Sequence, residues 1–524
     1  MNNRRIVIAS QRAGGFWSPL KWQTLTAIAL TITSFVVATD VDLRGQVQSQ
    51  YFYPPPVPVP DLPKQLAFKI TSPFTVAAVG DVIMPQPIGD REEPGFQRLV
   101  KIIRDADVGF GNMETELVDM KHRDQFQGGI QGTQAPKEVG ASMKTMGFRI
   151  MSRATNHALD GGVAAMLSTS RLLDEVGIVH AGAGMNLNEA RAAALMDTPK
   201  GRIGLVSFWS VDSNPGENGL GYAHTAATYR QGNSGGRPGV NPLRMDSYSI
   251  VTAEQLEQLR AIRKAADATG RSRPGEPAPR SANEPKDRVQ LTDAGRPAAL
   301  FKTGAVPGST EYEPNPDDER EILRSIRNGK VLSDFLIATV HSHQGMQYIN
   351  GVRTVSPFLS KFARQTVDNG ADMFVTHGPH ALQGVEIYKG KPIFYGLSAF
   401  VYQSDIQLSS SNKWDLDPPR DERPNCCAMN NPSGQVGMVA ETVFDKGQLK
   451  EVRLHPVDLD YGGLRPMSRK GIPTMPSPEL AQRVLAEMQS LSKPFGTTIV
   501  IKDNIGIIQV TPASATAEQG AKRE

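Results

Sequence analysis

Five segments that read as strands each end in an acid, an amide or an imidazole, and this repeated ending constrains the fold most. Residues 74–79 stop at Gly80-Asp81, and residues 107–110 lead to Asn112 and Glu114. Residues 148–152 run on to Asn156 and His157, residues 335–340 stop at His341 and His343, and residues 371–376 stop at His377 and His380. Short apolar runs of this kind read as buried strands. Helical patterns at 96–105, 162–176 and 357–369 separate them, and further strands are predicted at 202–208, 391–395 and 437–443. The alternation predicts an α/β layered domain. Sheets of that class collect ligands outside the carboxyl ends of their strands, where these residues fall. With His180 counted, six of the nine histidines lie in or beside such segments.

The rest of the chain narrows the class. A length of 524 residues allows one large domain with insertions, or two domains. With 39% hydrophobic and 21% charged residues the composition is globular. A net charge of +3, from scattered basic residues, gives no basis for a nucleic-acid partner. The two cysteines, Cys426 and Cys427, are neighbours, so they build no disulfide framework and read as incidental loop thiols.

At the N-terminus, Arg4, Arg5, Arg12 and Lys21 precede an uncharged stretch from 22 to 39, closed by Asp40. A positive region, an apolar run and the small residues Val36-Val37-Ala38 are the parts of an export signal. The run is marginal for a membrane span of about 20 residues. Residues 1–40 are therefore expected to be a signal peptide or a membrane anchor, with the bulk of the protein periplasmic, extracellular or anchored outside the cytoplasm. Residues 41–73 form a Pro-rich linker with a polyproline-type spacer around Pro54 to Pro60. The body is expected to span 74–460. Within it, 212–329 breaks the rhythm, and its Gly-, Pro-, Arg- and Ser-rich part, 267–297, is expected to be an insertion or flap. Residues 461–524 are expected to be a partly disordered C-terminal extension.

Carboxylate, amide oxygen and imidazole without thiolate suit Mn, Fe or Zn in a reactive site rather than a structural zinc. Two such ions about 3.5–4 Å apart share a bridging carboxylate and activate water for hydrolysis. Asp81 and Glu114 are the bridge candidates. His157 beside them is placed to polarise a substrate or protonate a leaving group, so Asp81 and His157 are the candidate catalytic residues. Asp160 and Glu116 read as supporting or solvated groups.

In combination these segments resemble a known family. Val79-Gly80-Asp81-Val82-Ile83-Met84, Gly111-Asn112-Met113-Glu114, Thr155-Asn156-His157-Ala158-Leu159-Asp160 and His377-Gly378-Pro379-His380-Ala381-Leu382-Gln383-Gly384 are similar to the successive motifs of the CapA family. That family is named for capsule poly-γ-glutamate synthesis proteins and resembles the calcineurin-like metallophosphoesterases. Residues 385–395 extend the likeness, which covers 74–402 apart from the insertion, and then 436–456. It implies a four-layer αββα sandwich. It also implies a ligand set of Asp81, Glu114, Asn156, His157, His341 and His380 for one or two divalent ions, with His343 and His377 as further members. The chain departs from the pattern in three places. Ile83 stands where metallophosphoesterases carry a His, Thr155 precedes Asn156-His157 in place of an Asn, and Gly396-Leu397-Ser398-Ala399-Phe400 replaces Ser-Leu-Gly-Asn-Phe.

Two functions are implied. One is an exported metal-dependent hydrolase of phosphoester or amide bonds in the biosynthesis of capsule, poly-γ-glutamate or a related envelope polymer, with that anionic polymer as partner. The other is a non-catalytic subunit that binds or exports the polymer beside a membrane synthase.

Overall fold

Alternation along two strands assigns the layers. In Phe74–Ile83, Val76 and Ala78 face a core shared with Leu205, Ile337 and Val375, while Ala77 and Val79 face the opposite way, toward Leu99, Ile103 and Leu172. In Gly201–Asp212, Ile203 and Leu205 enter the shared core, and Val206 and Phe208 turn outward onto Ile322, Ile326, Phe358 and Phe362. Successive side chains of a strand point to opposite faces, so each strand belongs to two cores at once. The layers are therefore helices Pro94–Asp105 and Gly162–Val176, a first sheet, a second sheet, and helices Pro316–Leu332 and Pro357–Asp368. This computed structural model is a four-layer αββα sandwich. It describes residues 61–119, 134–212, 226–229, 235–268, 285–291, 299–349, 352–403, 434–461 and 470–510. The expected leader at 1–40, most of the Pro-rich linker, Cys426, Cys427 and the tail after 511 lie outside the described residues.

In the first sheet, Phe74–Ile83, Val108–Met113, Phe148–Ser152 and Val179–Ala181 run parallel, with Ala399–Tyr402 also paired in parallel to the Phe74 strand. The antiparallel pair Val436–Asp445 and Gln448–Asp458 continues the sheet. In the second, Gly201–Asp212, Phe335–His341, Met373–His377 and Lys391–Phe394 are parallel neighbours. Register then aligns the strand ends: Asp81 sits opposite Asn112 and Asn112 opposite Ser152, while His341 sits between Trp209 and His377.

The described part of 212–329 extends the second sheet, while most of 267–297 lies outside the described residues. Pro242–Val251 pairs in parallel with Gly201–Asp212, and Arg288–Leu291, Ala299–Thr303 and Thr310–Pro314 carry the second sheet outward. Leu243, Met245, Tyr248 and Ile250 are buried while Arg244 and Asp246 are exposed. Polar residues between the apolar ones, Arg244 and Asp246, break up the continuous apolar signal. In the C-terminal extension, Pro478–Ser492 places Val484, Leu485 and Met488 in the core between the sheets, and Ile505–Gln509 adds a strand. No helix among the described residues is long and apolar enough to cross a membrane.

Candidate metal centre

The strand that presents Asp81 demands a glycine before it. A Cβ on Gly80 would lie 1.7 Å from the Ser398 carbonyl oxygen, and that same oxygen accepts the Asp81 N–H at 3.0 Å. On the opposite sheet, Gly378 (φ 109) donates its N–H to Asp81 Oδ2 at 3.0 Å. His380, two residues on, holds a left-handed φ of 48, a conformation that L-residues seldom adopt without a local reason. Its Nδ1 lies 3.1 Å from Asp81 Oδ2.

Glu114 is the meeting point. Ligand atoms of Asp81, Glu114 and His380 lie within 4.8 Å of one another, and so do those of Glu114, His341 and His343. His341 Nε2 is 3.5 Å from Glu114 Oε1, and its Nδ1 is 3.8 Å from Asp81 Oδ1. His157 Nε2 stands 3.9 Å from Glu114 Oε1, while its Nδ1 is 2.7 Å from Asp160 Oδ2. Asp81, Glu114 and His341 are almost wholly buried, and His343 is exposed.

The electrostatics describe acids waiting for a cation. Burial pushes the Glu114 carboxyl well up, and the charges of Asp81 and Asp160 push it further. Burial also raises Asp81, but the hydrogen bond and charge of His380, with the charges of His341 and His377, outweigh it and hold Asp81 below the usual carboxylate range. Burial drives His341 well below its ordinary value despite Asp81, so its imidazole stays neutral and able to ligate. Both Glu114 oxygens, Asn156 Oδ1 and His341 Nε2 are buried without a hydrogen-bond partner among the described residues. Buried polar atoms are seldom left so. A divalent cation fits this set, because oxygen and nitrogen donors converge and a positive charge relieves Glu114 and Asp81 together.

Of the residues expected from sequence, Asp81, Glu114, His341, His343 and His380 meet in the two groups, and His157 adjoins them. Asn156 is buried beside His157. His377 belongs to neither group; its ring packs 5.7 Å from Phe110, with both nitrogens buried and unpartnered among the described residues. Three neighbours carry more than sequence assigned them. Asp160 holds His157, and three residues of separation was the available signal. Glu116 is 2% exposed and accepts the Gly161 N–H at 2.6 Å. Tyr402 sets its ring 4.9 Å from that of His380, and nothing in its sequence position announced this.

Four layers with an acid–imidazole cluster between them make this an α/β sandwich with a candidate metal centre. Residues 75–404 match the model of the bacterial capsule synthesis protein family PGA_cap, and the chain belongs to that family. It is 37% identical over 475 residues to the uncharacterized protein y4sH of Sinorhizobium fredii, covering 86% of this chain and 96% of that one. It is 24% identical over 335 residues to the PGA biosynthesis protein CapA of Bacillus subtilis, covering 63% of each. Against the capsule biosynthesis protein CapA of Bacillus anthracis it is 21% identical over 336 residues, 63% of this chain and 60% of the other.

Proposed function

We propose that this protein is an exported, divalent-metal-dependent hydrolase of capsule biosynthesis, acting on phosphoester or amide bonds of an anionic polymer such as poly-γ-glutamate. The observation that supports it most is Glu114, shared by both ligand groups with neither oxygen hydrogen-bonded among the described residues. Asp81, Glu114, His341, His343 and His380 would hold one or two ions of Mn, Fe or Zn, with Asn156 beside them. A bound ion there would supply Lewis acidity and lower the pKa of water.

The chain's own groups supply the rest. With Asp160 accepting from His157 Nδ1–H, Nε2 is directed toward Glu114, where it can take a proton from the attacking water and then pass that proton to the leaving group. Gly378 N–H and Asn112 Nδ2 hold the two Asp81 oxygens. Burial of Asp81, Glu114 and His341 keeps water from competing for these contacts.

Ile83, buried where related phosphoesterases carry a histidine, favours the second reading, polymer binding without turnover. The test uses the purified full chain. Its Mn, Fe and Zn content is measured beside that of the double variant Asp81→Ala, His380→Ala, and hydrolysis of a generic phosphodiester is compared with hydrolysis of poly-γ-glutamate. Stoichiometric metal lost in the variant, together with turnover of either substrate, supports the hydrolase. Equal metal content in both proteins sinks it, and metal with polymer binding but no turnover transfers the assignment to the binding subunit. Sequencing the mature N-terminus tests export: a start after Ala38 marks a cleaved signal.

A further inference from the structure

The segment that brings Glu114 to the site also carries Glu116, and the two carboxylates face different partners. The segment is pinned to the Asp81 strand: Glu114 N–H donates to the Val82 carbonyl at 3.3 Å, and Met84 N–H donates to Thr115 Oγ1 at 3.0 Å. Glu116 is buried, and its Oε2 accepts the Gly161 N–H at 2.6 Å across 45 residues of sequence. Gly161 is the N-cap of the helix Gly162–Val176, whose first turn holds no acid. In a capping box an acid of the first turn takes the N-cap N–H; here Glu116 takes it from another segment. The fit is close, since a Cβ on Gly161 would fall 2.4 Å from Gln134 Nε2 and 2.9 Å from Glu116 Oε2.

Just before Gly161 lies the turn that carries His157 and Asp160. Within it His157 N–H donates to Thr155 Oγ1 at 3.2 Å, and Asp160 N–H donates to the His157 carbonyl at 3.3 Å. The body of the helix has anchors of its own. Leu117 N–H donates to Thr169 Oγ1 at 2.8 Å, and buried Arg153 donates to the Met166 carbonyl at 3.2 Å and to Ser170 Oγ at 2.7 Å. Glu116 is therefore the tie at the end of the turn, and the helix stays in place without it.

We infer that Glu116 is a positioning residue for His157: by holding Gly161 it sets the turn that carries the His157–Asp160 pair against Glu114, two residues before it on the same segment. The effect on rate rests on the hydrolase reading above, whereas the tether stands on the geometry alone. His157 Nε2 is 3.9 Å from Glu114 Oε1, and a displacement of about 1 Å from such a place costs up to ~100-fold in rate. One pinned segment thus places both the carboxylate shared by the ligand groups and the imidazole that moves the proton. The role calls for a hydrogen-bond acceptor, which an amide oxygen also supplies.

The full chain is compared as wild type, Glu116→Leu, Glu116→Gln and Gly161→Ala, with circular dichroism checking the fold. Three quantities are read: Co²⁺ uptake, turnover of the phosphodiester probe, and the ring ¹⁵N shifts of His157 in metal-free, ¹⁵N-histidine-labelled protein, assigned with His157→Phe. Glu116→Leu and Gly161→Ala are expected to keep Co²⁺ uptake and KM, to lower kcat roughly 10–100-fold, and to move the His157 shifts. Glu116→Gln is expected to return all three to the wild-type values. Wild-type shifts and turnover in Glu116→Leu overturn the inference, as does a Glu116→Gln that is damaged as badly as Glu116→Leu. Co²⁺ uptake lost in step with turnover also overturns it, because Glu116 would then support Glu114 rather than His157. If Glu116→Leu fails to fold, Gly161→Ala decides in its place. A wild type that turns over neither the phosphodiester nor poly-γ-glutamate sinks the hydrolase reading, and the His157 shifts then decide the tether by themselves.

Discussion

The amino end of a strand in the second sheet and the carboxyl end of one in the first bury charge in opposite ways. At the start of Met373–His377, Asp372 is 1% exposed and meets Lys330, whose side chain is fully buried, at 2.7 Å. Lys391 takes the other Asp372 oxygen at 2.5 Å, and Leu336 N–H adds a third bond at 2.9 Å. Lys330 also reaches the Asp334 carbonyl at 2.9 Å. Both acid oxygens are satisfied from within the protein. Just after Val108–Met113 in the first sheet, Glu114 is as deeply buried with both oxygens open among the described residues, and imidazoles rather than lysines surround it. A self-neutralised cluster holds a fold together. A cluster with open acceptors and neutral nitrogen donors is arranged for something that comes from outside.

The contrast breaks most visibly on truncating each end. Lys330→Met strands Asp372 in the interior, and removing one partner of a buried pair costs about 3–5 kcal/mol. Lys391 remains, so the lower part of that range is expected in urea unfolding. Glu114→Gln in metal-free protein is expected to change stability by about 1 kcal/mol or less, because burial already pushes this carboxyl toward its neutral form, which the amide imitates. Equal losses in the two variants would mean that the open cluster is structural after all.

The next effect is acid sensitivity at the site end. Burial lowers His377 from its ordinary 6.5 to about 4. The unfolded imidazole therefore takes a proton before the folded one does. Its contribution is intact above pH 6.5 and drains away as pH falls toward 4, by ~3 kcal/mol in all at about 1.4 kcal/mol per unit. His377→Phe in chelator-treated protein should flatten the fall in melting temperature across that window. A slope identical to wild type would assign the acid sensitivity to other groups, such as His341.

How much of this was visible beforehand depends on which residues must cooperate. Asp81, Glu114, His157, His341 and His380 were legible because each follows a strand buried on both faces, whose sequence is an almost unbroken apolar run. His377 followed the same rule: register puts it beside His341, and its ring packs against Phe110. Pro242–Val251 was hidden because Arg244 and Asp246 interrupt its apolar signal. The Lys330–Asp372 pair is 42 residues apart and lies on no motif, so only packing reveals it.

The smallest expected effect on stability is the most informative about chemistry. Asp160 accepts from His157 Nδ1 at 2.7 Å and is absent from both ligand groups. Asp160→Asn presents an amide that can turn either face to the ring, so the tautomer with Nε2 bare is no longer enforced. Stability should move by about 1 kcal/mol, the worth of one hydrogen bond, and metal content should not move at all. Turnover of the phosphodiester probe should nevertheless fall by roughly 10–100-fold, the usual penalty for losing a partner that orients a reacting group. Metal lost in step with activity would instead place the His157–Asp160 pair among the groups that hold the ion, and the division between holding residues and proton-handling residues would have to be redrawn around Glu114.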